Sequence, residues 1–203
     1  MACIYLHIPF CRQACHYCNF HFSTSLQHKH DIVDALLKEM EGRRDYIRDT
    51  EIQTIYFGGG TPSLLTGEEL ERILNKLHAL FSIAPDAELT LEANPDDIAM
   101  PGRLKAWKQA GINRLSIGVQ SFFEEDLLWM NRVHNASQSL ESIRMARDAG
   151  LDNISIDLIY GTPGLSDDHW KNNVEQAFRL GIPHLSCYSL TVEPRTALDT
   201  MIR

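Results

Sequence analysis

Short runs of β-branched and aromatic residues alternate along the chain with longer stretches in which apolar side chains recur every three or four positions. Those two periods separate strands from helices. The runs predict six strands, Cys3 to Ile8, Thr54 to Phe57, Glu88 to Glu92, Arg114 to Val119, Asn153 to Ile159 and His184 to Leu190. Between them, helical stripes are formed by Ile32, Leu36 and Met40, then by Leu70, Ile73, Leu74, Leu77 and Phe81. Leu104, Trp107 and Lys108 to Ala110 mark a third helix, Leu140, Ile143 and Ala146 a fourth, and Trp170, Val174 and Phe178 a fifth. Thr66 with Glu69 three residues later is the start signal of a capping box.

The same punctuation occurs three times: Gly111-Ile112-x-x-Leu115-Ser116, Gly150-Leu151-x-x-Ile154-Ser155 and Gly181-Ile182-x-x-Leu185-Ser186. Each reads as a helix end, a glycine stop and re-entry into a strand, the usual chemistry of a helix-to-strand turn. A βα unit repeated about six times with right-handed crossovers gives a parallel sheet curled into a partial (β/α)6, TIM-like barrel. The site of such a fold lies at the C-terminal ends of its strands.

Composition narrows the reading. The 203 residues are 44% apolar and 23% charged, enough for one core domain, which the chain from 1 to 203 is expected to be. With 19 basic against 27 acidic residues the net charge is −8, the wrong sign for binding nucleic-acid phosphates. The only apolar run near the N-terminus, Ile4-Tyr5-Leu6, is cut by His7, so neither a signal peptide nor a membrane span is expected, and the location expected is cytoplasmic. Of five cysteines, three crowd into Cys11-x3-Cys15-x2-Cys18, which suits metal ligation in a reducing compartment; Cys3 and Cys187 read as core thiols.

Three thiolates on a loop directly after strand one can hold a cubane cluster with one iron left open. A zinc ion completed by His16 or His21 is the competing reading, although no second pair of ligands follows. The other strand ends add polar groups to the same rim. Strand two runs into Gly58-Gly59-Gly60-Thr61-Pro62, strand three into Glu92-Ala93-Asn94-Pro95 and strand four into Gln120-Ser121, while strand five carries Asp157. Taken singly, each is a tight turn, a helix cap or a surface carboxylate; together they surround one place beside the cysteines.

The string Tyr5-Leu6-His7-Ile8-Pro9-Phe10-Cys11-x3-Cys15-His16-Tyr17-Cys18, followed by the Gly58 to Pro62 turn, resembles the radical-SAM family of oxygen-independent coproporphyrinogen III dehydrogenases and their relatives. The resemblance runs from Tyr5 to Pro194. It implies a 4Fe-4S cluster on Cys11, Cys15 and Cys18, with S-adenosylmethionine (SAM) on the open iron and a low-potential electron donor as partner. Carried over by position, Gly59, Gly60 and Thr61 would meet the methionine part of SAM, joined by Glu92, Gln120, Arg132 and Asp157. Tyr17 would cover the adenine side and Tyr5 would stand near SAM or a product pocket. Ile159 and Thr191 follow where the family pattern is looser. A salt bridge of purely structural purpose is the alternative for Arg132.

Two features depart from the dehydrogenase. Phe20 stands where that enzyme has a further cysteine, and only four residues precede Tyr5 where it has an extension. Both match the family's heme-chaperone branch, as does the string from His184 to Pro194. The resemblance therefore implies heme as cargo, respiratory proteins as acceptors, and loss of porphyrinogen decarboxylation; the dehydrogenase activity is the alternative. It also implies a further C-terminal domain beyond Arg203 and, after strand six, a sixth helix that this chain is expected to lack. His7 and His134 are expected to be structural histidines.

Overall fold

The computed structural model describes residues 2–47 and 51–203. Six parallel strands form one sheet in sequential order: β1 (Ala2–Ile8), β2 (Ile52–Gly59), β3 (Ile83–Ala93), β4 (Arg114–Gln120), β5 (Ile154–Tyr160) and β6 (His184–Ser189). The long helices between them are α1 (Lys29–Gly42), α2 (Gly67–Leu80), α4 (Arg103–Ala110), α6 (Ala136–Asp148) and α7 (Asp167–Arg179). Three shorter helices, α3 (Pro95–Ile98), α5 (Glu124–Trp129) and α8 (Ala197–Ile202), sit in the strand-exit loops and after β6. At four to six residues they are too short to leave a period in the sequence, and α8 corrects the expectation that no helix follows strand six.

The pleat sorts side chains to two faces. Ile55, Phe57, Leu91, Leu115, Ile117, Ile154, Ile156 and Leu158 point outward into the core under the helices and are buried. The inner face is polar: Glu92 is in register with Ser116, Ser116 with Ser155, and Asp157 with Ser186. Thr90 and Ser155 at its centre are each only 1% exposed. A sheet that curls over itself has this property. At the two edges the face lies open, with Tyr5 on β1 57% and Tyr188 on β6 55% exposed. The barrel is therefore partial, with β1 and β6 unpaired to one another.

Helix starts follow the local chemistry. Thr66 and Glu69 close the expected capping box on α2, and Asn135 with Gln138 does the same for α6. Gly111, Gly150 and Gly181 all adopt positive φ, so the thrice-repeated glycine stop is a left-handed helix end at each site.

Three expectations need correction. Cys3 and Cys187 are exposed rather than core thiols, because they lie on β1 and β6, the two edge strands. Phe178 is 84% exposed on α7, so the buried stripe of that helix ends before it; Asn173 and Ala177 are buried instead. Strand β3 begins at Ile83, five residues before the alternating run that marks it in sequence.

Candidate functional site

All strand C-termini open onto one rim, and a cavity of about 300 Å³ lies there. Cys11, Cys15 and Cys18 line it together with Tyr17, Gly59, Gly60, Thr61, Glu92, Arg132 and Asp157. Ten of the twelve residues singled out in the sequence thus share one wall. The other two are not among its lining residues. Tyr5 is exposed on the inner face, stacked on Tyr56 at 6.0 Å between ring centroids, with its hydroxyl 3.2 Å from His7 Nδ1. Gln120 is 8% exposed, with a left-handed backbone at φ 68°, at the bulge where the β4–β5 register breaks.

The cysteine loop is held on several sides. The Cys11 amide donates to the Ser23 carbonyl at 3.0 Å, and the His16 amide to Met130 at 3.1 Å. Burial pushes the Cys11 thiol up to about 11, against a hydrogen bond with Thr61, and burial likewise raises Cys18. Thiols in such a place ionise only with a strong cation close by. Cys15 and Cys18 act electrostatically on Cys11, and Cys15 on Cys18, yet among the described residues no three His, Cys, Asp or Glu side chains converge tightly enough to grip a single ion. A cubane takes its thiolates at separate corners, whereas tetrahedral zinc needs its ligands around one point. His16 Nδ1, moreover, is engaged 2.7 Å from the Trp129 carbonyl. The donor set fits a cluster better than zinc.

The glycine turn passes the loop at van der Waals contact. A Cβ on Gly60 would fall 2.6 Å from the Phe10 carbonyl oxygen and 3.0 Å from Cys11 Sγ, so backbone alone fits there. Behind it, Glu92 accepts from the Tyr56 hydroxyl at 2.8 Å and from the Gly59 amide at 3.2 Å. Burial raises the Glu92 pKa, the Tyr56 hydrogen bond opposing and the Asp157 charge adding to it; Asp157 is raised by burial with Ser186 opposing.

Arg132 faces these carboxylates from the loop after α5. Its Nη2 donates to Asn94 Oδ1 at 2.7 Å and to the Gly118 carbonyl at 2.8 Å; its Nη1 lies 3.4 Å from Cys15 Sγ; its buried Nε has no partner. Burial works against its charge, but Tyr17 and Cys15 draw the pKa above the ordinary guanidinium value. A structural salt bridge is not what holds it: among the described residues it makes no ion pair with a carboxylate, and Asp96 acts on it only through space. The cavity thus joins a cation beside thiols at one end to paired carboxylates at the other. That suits a ligand carrying both charges.

Asn94, Asp96, Gly118 and Tyr188 also line the cavity and were not assigned roles from sequence. Gly118 left a signal, a glycine in the interior of a strand, which often marks close approach of another group. Of the looser candidates, Ile159 is buried against Leu127 and Met130, and Thr191 donates to the Ser189 carbonyl at 3.3 Å. His134 is buried with Nε2 3.1 Å from the Val119 carbonyl, in keeping with a structural histidine.

A partial parallel barrel with three cysteines on the loop after its first strand and a glycine turn after its second defines an α/β class whose site lies at the strand ends. The Radical SAM superfamily model matches residues 5–184, and the chain belongs to that family, whose members bind a 4Fe-4S cluster and SAM. Among curated relatives, the Heme chaperone HemW of Escherichia coli (strain K12) is 40% identical over 196 residues, which is 95% of this chain and 51% of that protein. The Heme chaperone HemW of Bacillus subtilis (strain 168) is 37% identical over 205 residues, 100% of this chain and 54% of the relative. The chain spans about half the length of these relatives. Coproporphyrinogen III oxidase (HemN) from Escherichia coli has a similar structure, with a TM-score of 0.88 at 30% identity, covering 98% of this chain and 46% of that one.

Proposed function

We propose that this chain is the cluster- and SAM-binding core, residues 1–203, of a heme chaperone that delivers heme to respiratory proteins. The observation that carries the cluster site is the convergence of Cys11, Cys15 and Cys18 on one cavity with Arg132 against Cys15. The heme reading draws its support from the identity to proteins named heme chaperones, along nearly all of this chain.

In this reading the three cysteines hold a 4Fe-4S cluster, and Gly59, Gly60 and Thr61 lie against the methionine part of SAM. Glu92 takes its ammonium group, Arg132 its carboxylate, and Asp157 and Gln120 its ribose hydroxyls. Tyr17 covers the adenine, and Tyr5 flanks the opening through which a porphyrin approaches. The chemistry such a cluster supplies is single-electron delivery to bound SAM, fed by a low-potential donor. Among the described residues no helix is long and apolar enough to cross a membrane, and a cytoplasmic protein that meets its acceptors at the membrane fits the reading.

A second reading, an oxidative decarboxylase of coproporphyrinogen, has the structural likeness to the oxidase in its favour. Phe20, 67% exposed on the cavity wall, favours the chaperone, because it fills the place of the dehydrogenase's additional cysteine with an apolar surface. Anaerobic reconstitution of the full-length protein, then heme titration and coproporphyrinogen turnover with SAM, tests the choice. Stoichiometric heme binding without turnover is expected; robust formation of protoporphyrinogen would overturn it.

A further inference from the structure

Arg132 has five N–H donors, and the structure spends most of them before any ligand arrives. Both protons of Nη2 go to Asn94 Oδ1 and the Gly118 carbonyl, Nη1 reaches Cys15 Sγ, and Nε is buried. One Nη1 proton is left. A two-pronged grip on a ligand carboxylate would break the contacts on Nη2.

Asn94 is itself rigid. It precedes Pro95, which forces an extended backbone, observed at φ −92° and ψ 149°. A guanidinium only donates, so the Asn94 amide must turn Oδ1 toward it; Nδ2 then faces Thr61 Oγ1 at 3.4 Å. The Asn94 amide N–H adds a bond to Ser63 Oγ at 3.4 Å. Gly118 makes the arrangement possible, because a Cβ there would lie 3.1 Å from Gln120 Nε2, 3.2 Å from Arg132 Nη2 and 3.3 Å from Asn94 Oδ1.

We propose that Asn94, with the Gly118 carbonyl, is a positioning residue that commits Arg132 to the Cys15 sulfur and so sets the reduction potential of the cluster, leaving a single Arg132 hydrogen bond for the SAM carboxylate. This rests on the cluster reading above. A cation donating to a cluster thiolate stabilises the more negative, reduced cluster and raises its potential. Without Asn94 the guanidinium is free to swing toward the cavity and the potential falls.

The test is a double-mutant cycle on the anaerobically reconstituted full-length protein, reading the cluster midpoint potential by EPR-monitored titration without SAM. Asn94→Ala is expected to lower the reduced-to-oxidised ratio about tenfold at fixed potential, a negative shift of about 60 mV for one electron. Arg132→Gln is expected to shift it in the same direction and further. In the Arg132→Gln background, Asn94→Ala should add nothing. An unchanged potential in Asn94→Ala, or the same shift persisting without Arg132, would overturn the proposal. If Asn94→Ala takes up no iron, Arg132→Gln decides alone, an unmoved potential overturning it. Wild-type protein that takes up no iron would overturn the cluster reading as well, which separates the two failures.

Discussion

Asp97, fully buried, accepts two hydrogen bonds from Arg12, at 3.2 Å from Nε and 3.1 Å from Nη2. Its second oxygen accepts from Ser63 Oγ at 2.7 Å. One carboxylate thus ties the cysteine loop to the exit of β3 and to the turn that follows Thr61. Removing this carboxylate strands the buried Ser63 hydroxyl and releases Arg12, whose side chain is 36% exposed and can turn to water. Asp97→Ala is therefore expected to destabilise the fold by about 2 kcal/mol, the cost of leaving a buried polar group unpaired, and to lower iron uptake while leaving the three cysteines in place. Chemical denaturation and iron content measure the two effects, and unchanged iron content would show that the strut does not position the loop.

The glycine turn gives a graded expectation. On Gly60 a Cβ would strike backbone, 2.6 Å from the Phe10 carbonyl oxygen and 2.9 Å from its nitrogen, whereas on Gly118 it would meet only side-chain atoms at 3.1 to 3.3 Å. Gly60→Ala should then abolish cluster retention, and Gly118→Ala should keep the cluster with weaker SAM binding, because side chains can yield where backbone cannot. Iron content and SAM binding of the two variants check the order, and the reverse order would contradict it.

His134 supplies a pH dependence. Burial first, and the Arg132 charge second, depress its pKa to about 3, while the unfolded chain takes up the proton near pH 6.5. Between those values the unfolded state holds more protons, so stability falls as pH drops through that window, by a few kcal/mol in all. His134→Gln, whose amide can still donate to Val119, should flatten this slope. Urea denaturation of the metal-free protein at about pH 7.5 and about pH 5 compares the two slopes; parallel slopes would contradict the assignment.

Much of this architecture is legible in the sequence because the period of a buried β-run and a glycine helix stop are local signals. The six strands and the left-handed turns at Gly111, Gly150 and Gly181 follow from them. What stays illegible is set by distance in the chain. That Cys3 and Cys187 are exposed depends on β1 and β6 being edges, a property of the closed-or-open sheet rather than of either strand. Asn94 was visible as a strand-end residue, but its role arises from Arg132, which folds back onto it across 38 positions. Tyr5 and Gln120 belong to the right strands but are not among the residues lining the cavity, one at the open edge and one at the β4 bulge. Family position gave them the same role as residues on the wall.

The most direct test of the central claim is iron content after anaerobic reconstitution, comparing wild type with Cys15→Ala, together with the change that SAM makes in the EPR spectrum of the reduced protein. The account predicts about four irons per wild-type chain and a SAM-dependent spectrum, with both lost in the variant, since two thiolates cannot easily anchor a cubane. About four irons retained in Cys15→Ala, or a wild-type chain that loads zinc in place of iron, would contradict it.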